Sequence, residues 1–284
     1  MSGSDWGYNR AMLRSFSFFF IVPILALLFG QCRLPVPIQS SPASEGEKAM
    51  EGRPAPGPTD YSDLVTGTDP VSTRVVRLQV PLVQQPRAPL CGPASIEMVF
   101  RYWGENRYSQ YDIARSITIQ FKDEGRFKNS DILKEVSAHQ DNQAIDWKLY
   151  PGTGTYNMRE FLARFAPTRN PRIKILPKDP DEAEKVRDRF FRDLRGHLDS
   201  GAPAIVHQWY SSAMRSQHYR VVTGYDDQQM VVFLNDPVDG AIQQSYSSFL
   251  ELWKVEEPWL PYNFIVFNAY APGQIKKGAL RVDL

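Results

Sequence analysis

Apolar residues recur at helical spacing at Ile96, Val99, Phe100 and Trp103, and Gly104 follows as a stop. A buried helix is therefore expected to open at Cys91, with Pro93 in its first turn, where a missing N–H costs nothing. Shorter helices are expected over residues 109–117 and 130–139, each opened by a serine cap. Two more are expected over 157–165 and 182–198, the second stopped by Gly201. The pattern then turns to β-branched, apolar runs at 204–209, after His218, at 230–234 and at 263–267. A helix over 247–254 is expected between the last two, with Phe249, Leu250 and Trp253 facing inward. Helices first and strands last is an α+β order.

The first seventy or so residues do not fit this pattern. Arg10 and Arg14 precede an apolar run from Phe16 to Phe29, broken only by Ser17 and Pro23. It is shorter than the ~20 residues that span a bilayer and suits the apolar part of a secretory signal. The arginines before it predict a cytoplasmic N-terminus and an exported remainder. Residues 33–73 are rich in Pro, Ser, Gly, Glu and Thr and cannot bury enough apolar surface to offset ordering. They are expected to be a disordered linker reaching on the order of 35 Å. The expected organisation is thus a signal or anchor over 1–32, the linker over 33–73 and one catalytic domain over 74–284.

Composition narrows the partners. The net charge is +1, so neither nucleic-acid binding nor a strongly basic membrane face is indicated. No phosphate-binding loop of the Gly-x-x-x-x-Gly-Lys-Ser/Thr form occurs, and no set of long apolar spans. No His, Cys and carboxylate cluster has metal-ligand spacing, so no metal and no cofactor are expected.

The chemistry concentrates at Cys91. At a helix start, the dipole and unpaired N–H groups favour a nucleophilic thiolate, although most cysteines are simply small buried hydrophobes. His218 opens one arm of an expected hairpin, and Asp236 ends the other, after Asn235 and before Pro237. In an antiparallel pair the two would lie side by side, giving a nucleophile, a base and an orienting carboxylate. On its own, Asp236 would be an ordinary turn carboxylate. Gln85 and Gln84 both precede the cysteine, and an uncharged amide there would stabilise an oxyanion. A one-residue shift would exchange the facing of the two.

These segments together resemble the C39 peptidase superfamily, papain-like cysteine peptidases known as leader-cleaving domains of bacteriocin exporters. The chain is similar in particular to stand-alone C39-like proteins of bacteria. The matching pieces are residues 80–85, Cys91-Gly92-Pro93-Ala94-Ser95, Tyr102-Trp103-Gly104, His218-Tyr219-Arg220-Val221-Val222-Thr223-Gly224-Tyr225 and Asn235-Asp236-Pro237. The resemblance implies a papain-like α+β fold with the nucleophile helix packed on a C-terminal antiparallel sheet. It implies Cys91 as nucleophile, His218 as base and acid, Asp236 as orienting group and Gln85 as oxyanion donor. A peptide or protein is the implied substrate. Without a transporter, double-glycine leader specificity does not carry over. A long insertion before the histidine strand, including residues 167–198, is expected to reshape the cleft.

Leu28-Phe29-Gly30-Gln31-Cys32 resembles a bacterial lipobox, which implies a lipid on Cys32 and a membrane tether. Gln31 is larger than the residue such a site takes, so an unlipidated signal or a retained anchor stays open. Cys32 and Cys91 are the chain's two cysteines, and one for lipid and one for catalysis leaves no disulfide. His207 is expected as a core or rim residue, and His139 and His197 as cations at helix ends. Trp209 and Tyr210 end a strand close to His218, where they either line the cleft or pack. The expected protein is an exported, membrane-tethered cysteine peptidase. An acyltransferase or amidase using the same thioester, or a non-catalytic peptide-binding module, are the alternatives.

Overall fold

Serine caps and glycine stops set the helix boundaries in the computed structural model, which describes residues 73–268 and 282–284. The apolar run 16–29, Cys32 and all but the last residue of the expected linker lie outside these residues. Helix α1 (Cys91–Tyr102) is buried around most of its circumference rather than on one face, with Ala94, Ser95 and Met98 as inaccessible as Ile96 and Phe100. Helix α2 (Gln110–Gln120) opens with a full capping box between Ser109 and Asp112, and α3 (Asp131–Ala138) with the Ser130 hydroxyl on Leu133 N. Helix α4 (Thr155–Ala163) is followed by α5 (Pro180–Asp199), whose N-cap is Asp179 and whose chain leaves through Gly201 at φ +83°. Helix α6 (Tyr246–Trp253) buries Phe249 and Trp253 completely.

Among the described residues seven strands form one antiparallel sheet: β1 (Val75–Arg77), β2 (Thr168–Arg169), β3 (Ala204–Trp209), β4 (Gln217–Asp226), β5 (Val231–Asp236), β6 (Gly240–Ser245) and β7 (Phe264–Phe267). The order is β2-β7-β3-β4-β5-β6, with β1 added to the far half of β4. β4 is buried along almost its whole length, as a central strand should be. Helices cover both faces: Tyr219 of β4 reaches Thr155 of α4 on one, and Gln208 of β3 reaches the Phe249 carbonyl of α6 on the other. Strands β1, β2 and β6 were not expected from the sequence.

The hairpin contains a bulge that matters to the site. Asp226, Tyr225 and Gly224 pair with Val231, Val232 and Phe233, but Val222 and Val221 pair with Leu234 and Asn235. Thr223 is the extra residue, absorbed between the two registers. At this point β1 crosses close by. A Cβ on Gly224 would lie 2.0 Å from the Val76 carbonyl oxygen, so only glycine fits.

Candidate active site

Cys91 is the first residue of α1 and is partly accessible, whereas Gly92 to Phe100 behind it are buried. Gly92 lets the helix start sit tightly on the segment before α4, since a Cβ there would come within 2.6 Å of Thr153 Oγ1. Leu90 provides no side-chain cap, so first-turn N–H groups stay free of one.

His218 is 5 % exposed and Asp236 fully buried. His218 Nε2 and Asp236 Oδ1 are 2.9 Å apart, and the Cys91 thiol lies near enough to the imidazole to raise its proton affinity. The simple side-by-side pairing of His218 and Asp236 does not occur. Continuing the register from Val221 and Asn235 sets Asp236 opposite Arg220, with His218 one step further along the same face. The carboxylate reaches the imidazole diagonally, a distance long side chains bridge.

Arg220 is the residue the sequence reading missed. It is 2 % exposed, and its Nε donates to Asp236 Oδ2 at 2.6 Å. Its remaining donors go to Gln208 Oε1 at 3.1 Å, Trp209 O at 3.1 Å and Tyr210 O at 2.7 Å. Asp236 Oδ1 additionally accepts from Val238 N at 2.7 Å and Asp239 N at 3.2 Å. The signal was in the sequence: Arg220 lies two residues after His218 in a strand, hence on the same face, in an otherwise apolar run.

The charges follow from these contacts. Burial alone would lower the proton affinity of His218. The hydrogen bonds and charges of Asp236 and Cys91 outweigh it and hold the imidazole above the ordinary histidine range. For Asp236, burial works upward, but His218, Val238 N and Arg220 hold the carboxyl well below the usual carboxylate range. Asp236 is therefore an ionised anchor across the physiological range. His207, on the opposite face of the sheet, is buried against Tyr219 at 4.8 Å and pushed down to about 4, first by burial and then by His218. It is a neutral core residue.

Gln85 is half-buried and Gln84 exposed. Gln85 Nε2 donates to the Ala88 carbonyl at 2.8 Å, and its backbone N donates to the Pro237 carbonyl at 2.8 Å. One amide hydrogen fixes the side chain, and the amide carries a second. Gln84 is held by its backbone instead, its carbonyl accepting from Gln110 Nε2 at 2.9 Å. Among the described residues no three His, Cys, Asp or Glu side chains converge as a metal site. His139 and His197 lie at the ends of α3 and α5, away from this cluster.

A cysteine at a helix start, near an imidazole backed by a buried carboxylate, is the arrangement that thiol–imidazole chemistry requires, and the α+β architecture around it is papain-like. The model of the Peptidase_C39 like family matches residues 77–264, and the chain belongs to that family. No curated protein matches. A putative C39-like peptidase from Bacillus anthracis is similar at 14% identity, with 70% of this chain and 99% of that one covered and a TM-score of 0.44. A double glycine motif protease from an AMS/PCAT transporter, in complex with the leader peptide, is similar at 15% identity over 68% and 92% of the two chains, with a TM-score of 0.32. Xylellain, a cysteine protease from Xylella fastidiosa, is similar at 9% identity over 69% and 86%, with a TM-score of 0.35.

Proposed function

We propose that this chain hydrolyses peptide bonds through Cys91, His218, Asp236 and Gln85. One observation carries the reading: a buried imidazole bonded to Asp236 through Nε2, with the Cys91 thiol close enough to raise its proton affinity. Cys91 Sγ attacks the scissile carbonyl carbon, its proton passing to His218. The oxyanion takes hydrogen bonds from the second Gln85 amide N–H and from the Cys91 backbone N–H. Collapse breaks the C–N bond, and His218 returns the proton to the leaving amine, which leaves a thioester on Cys91. Water, losing a proton to His218, then displaces the thiol and releases the acid.

The test is cleavage of a peptide library by the wild type, Cys91→Ala and His218→Ala. Cleavage that survives both substitutions overturns the reading. A labelled amine present in the same reaction and recovered in the product identifies an acyltransferase instead. No cleavage and no transfer, with an intact fold and peptide binding, identifies a binding module.

We also propose that the chain is exported and tethered to a membrane through Cys32. The arginines before the apolar run and the cysteine directly after it support this. Mass spectrometry of the native N-terminus tests it. A mature chain starting at lipidated Cys32 is expected, and an unmodified Cys32 removes the lipid.

A further inference from the structure

We infer that Tyr210 is a positioning residue whose ring, latched to Asp239, covers the His218 imidazole and keeps water from the His218–Asp236 hydrogen bond. The inference rests on the peptidase reading above.

His218 stands near the start of β4, directly after the exposed Ser216 and Gln217, yet is itself buried. Something from outside the strand must supply that cover. Tyr210, the residue after β3, does so: its ring centroid lies 5.2 Å from that of His218, with the planes at 81°. The ring is tied at both ends. Its backbone carbonyl accepts from buried Arg220 at 2.7 Å, and its N–H donates to the Ser216 carbonyl at 2.8 Å. Its hydroxyl donates to the Asp239 carboxylate, 2.9 Å from one oxygen and 3.1 Å from the other. Asp239 N in turn donates to Asp236 Oδ1, so the latch closes on the turn that carries the orienting carboxylate.

The two ends differ in strength. The Arg220 tie is buried, whereas the hydroxyl–Asp239 bond is exposed and exchanges readily with water. A hydrogen bond to an ionised carboxylate gains most where water cannot compete, so the cover strengthens the pairing that orients His218. A phenylalanine would fill the same space, so what the hydroxyl adds is its bond to Asp239.

Proton NMR of the full chain in water reads the effect directly through solvent exchange of the His218 Nε2–H, and iodoacetamide alkylation reads Cys91. Tyr210→Ala should speed the exchange and slow alkylation at neutral pH, each roughly tenfold. Tyr210→Phe and Asp239→Ala each remove only the latch and should each change exchange by roughly threefold, the effect of one exposed hydrogen bond. Wild-type exchange in both Tyr210→Ala and Asp239→Ala overturns the cover. Should Tyr210→Ala fail to fold, wild-type exchange in Asp239→Ala alone does so. His218→Ala separates the two claims. If that variant alkylates at the wild-type rate, the peptidase reading fails. If its alkylation is lost while exchange stays unchanged in the Tyr210 and Asp239 variants, only the cover fails.

Discussion

Replacing Asp236 by asparagine is the usual test of an orienting carboxylate, and here it should unfold much of the protein's stability as well as slow its chemistry. Oδ1 accepts from His218, Val238 N and Asp239 N, and Oδ2 accepts from Arg220. Asparagine offers one oxygen and one NH2 group. With its oxygen in the Oδ1 seat, the NH2 points at the Arg220 Nε–H; reversed, the NH2 points at three donors. Either way donor meets donor in a fully buried place, and Arg220 loses the one carboxylate partner it has among the described residues. Breaking a buried pair on one side costs about 3–5 kcal/mol. Domains of this kind hold only ~5–15 kcal/mol in total. Urea unfolding at pH 7, followed by tryptophan fluorescence, measures the loss. The double variant Asp236→Asn with Arg220→Met removes the orphaned charge and should be roughly 1–3 kcal/mol more stable than the two single losses added together. An Asp236→Asn protein within about 1 kcal/mol of wild type would refute the claim that Arg220 depends on this carboxylate.

Three further outcomes are expected. Gln85→Ala should lower turnover roughly 10²–10³-fold with little change in substrate affinity, measured by steady-state kinetics on a peptide found in the library; a wild-type turnover removes Gln85 from the oxyanion site. His207 is held neutral, with a folded pKa of about 4 against an ordinary 6.5, so the unfolded chain binds its proton first as pH falls and stability drops between these values. The gap corresponds to roughly 3 kcal/mol, and unfolding of His207→Phe from pH 7 to pH 4 should show a slope shallower by that amount; identical slopes would show that His207 does not titrate in this window. Gly224→Ala should lose roughly 1–3 kcal/mol because the new Cβ meets the Val76 backbone rather than a movable side chain, and an unchanged melting temperature would show that β1 yields freely.

Local chemistry was legible in the sequence wherever one residue decides an outcome. Ser109 and Ser130 cap their helices, Gly201 takes its positive φ, and residues 204–209 form the expected strand. β6 escaped notice because Gly-Ala-Ile-Gln-Gln-Ser carries a single large apolar side chain, and its pairing comes from the neighbouring β5. β1 and β2 are too short to show alternation. Within the site, Cys91, His218 and Asp236 stood out, but the contacts among them depend on register. Arg220 was readable in principle from its two-residue offset to His218. The Ala88 anchor of Gln85 was not, because it depends on how one irregular loop turns back on itself, and the Tyr210 latch was not, because it arises where separate loops meet. Pairing His218 with Asp236 as direct neighbours went wrong because the register sets Asp236 opposite Arg220, two residues from His218, and no sequence pattern announced that register or the bulge within it.

That bulge shows that what ties His218 to Asp236 is parity, not length. If the register beside the turn ran on without interruption, Asp236 would fall opposite Val221 and face away from the imidazole. Absorbing Thr223 restores the match. A hairpin one residue shorter, with a straight β4, would reach the same geometry, because removing Thr223 leaves every other pairing as it is. A hairpin with one more unabsorbed residue would present its acid to the wrong side. The number of residues separating histidine from aspartate is therefore free to drift by one wherever a bulge appears or disappears, and a fixed His–Asp interval is a poor test of whether a given chain carries a working dyad. The dependable test is an even offset along each continuous stretch of ladder.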